Sequence, residues 1–185
     1  MDPVVLRTER LVLSVPTSDD VDAITASCQD EMMRDMLASL PWPYTRSDAE
    51  HFVGEIVPAG WASGDAPVWG IRESEGGRHL GSIGWRRRLG DVGFWLDVAA
   101  RGRGVMSEAV TAVCDWAFET QAVASIGWEA VAGNVASARV ARATGFRYTG
   151  ERPVEVAFRD GSHPMGWHAV LERDDRSAPK VGWPL

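Results

Sequence analysis

Two cysteines in 185 residues are too few for a disulfide framework. Cys28 and Cys114 fall in helical patterns and read as small core residues of a reducing cytoplasm. No apolar run approaches the ~20 residues that cross a bilayer. The N-terminal "MDPVVLRTER" carries no apolar secretion segment either, so no membrane contact is expected. Positive charge is not in excess. A net charge of −7 disfavours nucleic acid as a partner, and Arg86, Arg87 and Arg88 read as a solvated strand end. The four histidines do not suggest a metal site: His163 and His168 are five apart, with no H-E-x-x-H, so no metal is expected. G-x-S-x-G and catalytic-cysteine signatures are missing as well.

What is present is an ordinary globular composition, 45% hydrophobic and 24% charged. It predicts one domain over residues 1–175 and a tail over 176–185 with no clear structure. Leu11, Leu13 and Val15 alternate as a first strand. Thr17 and Asp20 are spaced as a capping box and open a helix, and "DEMMRDML" gives a second. Pro41 and Pro43 break the pattern. Ser47 and Glu50 predict a new capping box, and Pro58 the end of that helix. "PVWGIRE", "RHLGSIGWRRR" and "DVGFWLDV" read as strands joined by antiparallel hairpins. A helix follows from about Val105 to Thr120, with Met106, Val110, Val113, Ala117 and Phe118 on its inner stripe. "SIGWEAV" is a strand and "NVASARVARAT" a short helix closed by Gly145. Two strands around Asp160-Gly161 complete the chain. The expectation is a mixed α/β domain with a largely antiparallel sheet and one βαβ unit, Phe94 to Val131.

The chemistry concentrates in "LDVAARGRGVMSEAV", residues 96–110, where a strand turns into a helix through Gly102 and Gly104. A helix N-terminus leaves N–H groups unpaired and carries partial positive charge, so an anion suits it. The nucleotide loop G-x-x-x-x-G-K-[ST] is absent. The dinucleotide fingerprint fails at its third glycine, where Ser107 stands, and its acid is displaced, with Glu129 too late. The pyrophosphate of coenzyme A remains.

At this point the chain resembles the GNAT superfamily of acetyl-CoA-dependent N-acetyltransferases. Arg101-Gly102-Arg103-Gly104 matches the family's Q/R-x-x-G-x-G/A loop in its first four elements, and Met106 departs from its last. Asn134, Ser137, Val140, Gly145 and Phe146 match its second motif, and the element order over residues 8 to 172 is similar. "TERLVLSVPTSDDVDAI", "LPWPYTRSDAEHFV" and "GRGVMSEAV" look like the RimJ/RimL-type branch, which acetylates N-terminal amines of ribosomal proteins and has relatives acting on small amines.

The resemblance implies a twisted sheet flanked by helices and acetyl transfer to a primary amine in a ternary complex. The acceptor would be a protein N-terminus or a small molecule. A non-catalytic acyl-CoA-binding module on the same fold is the alternative, and a homodimer is compatible with either. Pantetheine contacts would come from Leu96, Asp97 and Val98. The pyrophosphate would sit on Arg101, Gly102, Arg103, Gly104, Val105, Met106 and Ser107, with Asn134 and Ser137 beside the cofactor. The tyrosine acid common in the family is Ala141 here, so Ser137 is the expected proton donor to sulfur, with Tyr148 behind it. Asn134 would cap its helix and contact substrate or water. Glu108, Glu129 and His79 compete as general base, with Glu108 matching a glutamate common in the branch. Trp42, Tyr44 and Trp85 are expected to wall the acceptor site.

Overall fold

The computed structural model describes residues 1–38, 40–174 and 180–185. Two short strands lead, β1 (Leu6–Arg7) and β2 (Val12–Ser14). Next come helices α1 (Val21–Ser27), α2 (Glu31–Met36), α3 (Arg46–His51) and α4 (Val57–Ser63). The antiparallel meander β3 (Val68–Arg72), β4 (Gly81–Arg86) and β5 (Asp91–Leu96) follows. Then come α5 (Val105–Thr120), β6 (Ser125–Val131), α6 (Val135–Ala143), β7 (Arg147–Pro153) and β8 (Met165–Glu172). The strands form one sheet in the order β1-β2-β3-β4-β5-β6-β8-β7, antiparallel except for β5 beside β6. No helix among the described residues is long and apolar enough to cross a membrane.

Two helix boundaries differ from the sequence expectation. The capping box after the proline loop is Thr45 with Asp48, not Ser47 with Glu50, so α3 starts earlier. Pro58 does not end the helix. A π-helical stretch, Phe52–Ile56, precedes it, and Val57 N–H reaches Phe52 O, five residues back. The ladder is already out of α register there, so a proline without an N–H is tolerated at the head of α4. The Thr17–Asp20 box forms as expected.

The sheet carries two cores. Under α5 and α6 lie Ile83, Trp85, Val92, Val110, Val113, Ala117 and Phe146. On α1 to α3 lie Val21, Ile24, Cys28, Met33, Tyr44 and Ala49. The predicted stripe of α5 is buried throughout, and Met106 is only 5% exposed. At the C-terminus, Trp183 packs on Trp128 and Tyr148, with ring centroids 5.5 and 5.6 Å apart.

Candidate active site

Strand register decides what faces the gap between β5 and β6. Asp97 N–H donates to Leu80 O at 2.7 Å, so Asp97 belongs to the hydrogen-bonded pairs with β4. By antiparallel alternation, Phe94 and Leu96 then direct their backbone groups away from β4, toward β6. β6 meets β5 only where Asp91 pairs with Gly127. Beyond that point the strands splay, leaving a slot with backbone groups on its walls. Asp97 is therefore corrected as a backbone donor: its N–H is spent on β4. Phe94 and Leu96 are the β5 residues whose backbone groups face the gap. Val98 starts a 3-10 turn at the mouth and is 60% exposed.

At the slot's end, Gly102 and Gly104 have φ of 74° and 76°, a left-handed conformation that only glycine adopts cheaply. Among the described residues, no protein acceptor bonds the N–H groups of Gly102 through Ser107. Successive free N–H groups at a helix start make an anion-binding concavity. Met106 points into the core, so the departure from the family loop leaves this concavity open. These residues fit a pyrophosphate.

The two loop arginines are committed elsewhere. Arg101 donates through Nε to Leu96 O and through Nη2 to Asp30, the N-cap of α2. Arg103 pairs with Glu73. Arg101 thus ties α2 to the end of β5.

Glu108 also has another task. Its carboxylate accepts from Thr8 Oγ1, Arg10 N–H and Arg10 Nε, and Arg10 Nη1 reaches Arg103 O at 3.2 Å. Burial would raise its pKa, but the Thr8 and Arg10 bonds outweigh that and hold it below the usual value. A carboxylate so engaged with the β1–β2 turn is a tether rather than a base. A cavity of about 570 Å³ between β1 and α5 touches Glu108 but no slot residue.

The other base candidates separate clearly. His79 is 1% exposed, bonded to Ser82 Oγ, and burial lowers its pKa to about 4. It is neutral at pH 7 and a poor proton acceptor. Glu129 stands on β6, the slot's second wall. Its carboxylate accepts from Glu155 and Val156 N–H and lies 3.8 Å from His168.

On α6, Asn134 is the N-cap and accepts from Ser137 N–H at 3.1 Å. Ser137 Oγ receives the Trp128 indole N–H, also at 3.1 Å. Ala141 is buried.

The expected acceptor walls do not assemble. Trp85 is 0% exposed beneath α5, because its β4 position faces the main core. Tyr44 is buried in the second core, and burial pushes its hydroxyl pKa up. Trp42 alone is half-buried on its loop, under the Arg34 guanidinium at 5.4 Å. Phe94 and Trp128 were not anticipated. The first needs the β4–β5 register, and the second is bonded to a serine nine residues away.

An acetyltransferase (GNAT) domain model matches residues 10–147, which include the phosphate loop and the α6 motif. The chain belongs to the GNAT family. The Vibrio fischeri ribosomal-protein-S5-alanine acetyltransferase structure is similar at TM-score 0.74 and 20% identity, covering 94% of this chain and 99% of that one. The Mycobacterium smegmatis RimJ structure in complex with CoA-disulfide gives 0.76 and 15%, over 96% and 90%. RimL, a ribosomal L7/L12 alpha-N-protein acetyltransferase in complex with coenzyme A, gives 0.77 and 16%, over 93% and 99%. No curated protein sequence matches the chain. At these identities the structures establish a common fold.

Proposed function

We propose that this GNAT chain transfers an acetyl group from acetyl-CoA to a primary amine, with both substrates bound together. The observation that carries the reading is one continuous feature: a strand-edge slot ending in a loop whose N–H groups from Gly102 to Ser107 have no partner among the described residues. Pantetheine carries amides that add to a strand edge, and a pyrophosphate suits the loop. Acetyl-CoA supplies the activated thioester.

The chain's residues then act in order. Phe94 and Leu96 align the pantetheine arm. A β5 backbone N–H stabilises charge on the carbonyl oxygen. Glu129 accepts the proton that the amine loses, directly or through water. Ser137 donates a hydrogen bond to the departing sulfur.

A protein N-terminus is the favoured acceptor. An α-amine with a pKa near 7.8 is about one-third neutral at pH 7.5, whereas a lysine near 10.4 is only ~0.1% neutral. A site whose one suitable carboxylate is already held by two N–H donors suits the easier amine. The acceptors named for RimL and the Vibrio fischeri enzyme agree with this preference.

The test is calorimetric titration with acetyl-CoA, with NAD as control, followed by turnover on peptides with free N-termini and then on small amines. Saturable acetyl-CoA binding and peptide turnover are expected. Binding without turnover of any amine would leave a CoA-binding module instead, and no binding would overturn the reading.

A further inference from the structure

Four threonines on the helices spend their hydroxyl protons on their own helix, whereas Ser137 does not. Thr25, Thr111, Thr120 and Thr144 each donate to the carbonyl four residues back, at 2.7 to 3.0 Å. Their protons are thereby consumed by the helix. Ser137 sits on the first turn of α6 and its hydroxyl bonds neither carbonyl behind it: Gly133 O, four back, accepts Val135 N–H at 2.7 Å. The carbonyl three back, Asn134 O, accepts Ala138 N–H. Among the described residues the Ser137 hydroxyl donates to nothing and only accepts, from Trp128.

The direction of that bond is fixed by chemistry. An indole nitrogen is a donor only, so Ser137 Oγ is necessarily the acceptor. One of its lone pairs is occupied and the hydroxyl proton must point elsewhere. Trp128 lies on the slot strand β6, is 3% exposed, and is covered by Trp183 in an edge-on contact. Its ring therefore has little freedom to turn away.

We propose that Trp128 is a positioning residue, whose indole N–H holds Ser137 Oγ so that the hydroxyl proton is presented to the sulfur leaving coenzyme A. This rests on the acetyl-transfer reading and adds a residue to it. The step balances as follows. The amine nitrogen forms the C–N bond, the C–S bond breaks, and its electron pair goes to sulfur. The surplus ammonium proton departs through Glu129 or water, and sulfur acquires a proton from the same pool. The Ser137 hydroxyl stabilises the sulfur charge meanwhile and keeps its own proton. Without the indole N–H, Ser137 Oγ could rotate and spend that proton on a helix carbonyl or water.

The experiment is a double-mutant cycle of Trp128→Phe and Ser137→Ala. It uses acetyl-CoA and whichever amine of the panel above turns over fastest. Phenylalanine keeps an aromatic ring against Trp183 and removes only the donor, and thermal melts check that each variant folds. Trp128→Phe should lower kcat about tenfold, the worth of one oriented hydrogen bond, with KM for acetyl-CoA within twofold. In the Ser137→Ala background the same change should have no further effect on kcat. A merely structural tryptophan would lower kcat equally in both backgrounds, and that result would overturn the inference. So would a Trp128→Phe enzyme with unchanged kcat beside an impaired Ser137→Ala. A fully active Ser137→Ala enzyme would instead remove the role of Ser137 itself, and the inference with it.

Discussion

At residues 102–107 the groups proposed to meet the cofactor are backbone N–H; at the β6–α6 end they are the side chains of Glu129 and Ser137, with Trp128 bonded to Ser137. The loop has two arginines, and both are bound to carboxylates of other elements. On the proposed reading, its affinity for a pyrophosphate therefore depends on conformation, through two left-handed glycines and a helix start, more than on local charge. The other end has no such redundancy. Each side chain there is placed by a single strand register and one or two hydrogen bonds. The difference teaches that cofactor binding and chemistry should respond to different kinds of substitution.

The largest expected effect comes from disturbing the loop's conformation. Gly104→Val forces a β-branched residue to φ of 76°, costing on the order of 1–3 kcal/mol of strain and pushing the loop off its geometry. Acetyl-CoA binding should weaken about 100-fold or more in calorimetry. A Kd within tenfold of wild type would break the comparison at its stronger side.

Next comes the chemical end. Glu129→Gln keeps shape and removes the proton acceptor. It should lower kcat on the order of 30-fold while leaving the Kd for acetyl-CoA unchanged. If binding falls with rate, the two ends are not separable. Unchanged kcat would exclude Glu129 as the base.

The smallest effect on binding should come from the loop's own charge. Arg101→Ala leaves Asp30 and Leu96 O without their partner. It should cost about 1 kcal/mol of stability, seen as a fall in Tm of roughly 2–4 °C. The Kd for acetyl-CoA should stay within threefold. A larger loss of affinity would mean that Arg101 leaves Asp30 to meet the phosphate.

These contrasts track how much of the molecule was legible from its residues. Gly102 and Gly104 ahead of an apolar stripe announced the loop, because glycine spacing reports backbone conformation directly. The stripe of α5 and the Thr17–Asp20 box were equally local and equally visible. The second capping box was misplaced because Thr45 and Ser47 both precede a suitable acid, and only the chain's path after Pro43 selects Thr45. Pro58 misled because a π turn is not written in any residue pattern. Trp85 looked like a wall because large aromatics line clefts, yet β4 alternation turns it into the core. Glu108 looked catalytic because it opens a helix beside the loop, yet Thr8 and Arg10 arrive there from about one hundred residues earlier.

The sequence alone determined most of the elements, the sheet's largely antiparallel character and the two-glycine loop ahead of α5, since each follows from spacings of a few residues. Tertiary structure decided which backbone and side-chain groups come together. The β4–β5 register turned Phe94 rather than Asp97 toward β6, and the β6–α6 crossover brought Trp128 onto Ser137. The physical reason is range. Capping, glycine conformation and helical periodicity are energies of neighbouring residues, whereas pairing register and burial are settled by contacts between distant segments, which no local pattern encodes.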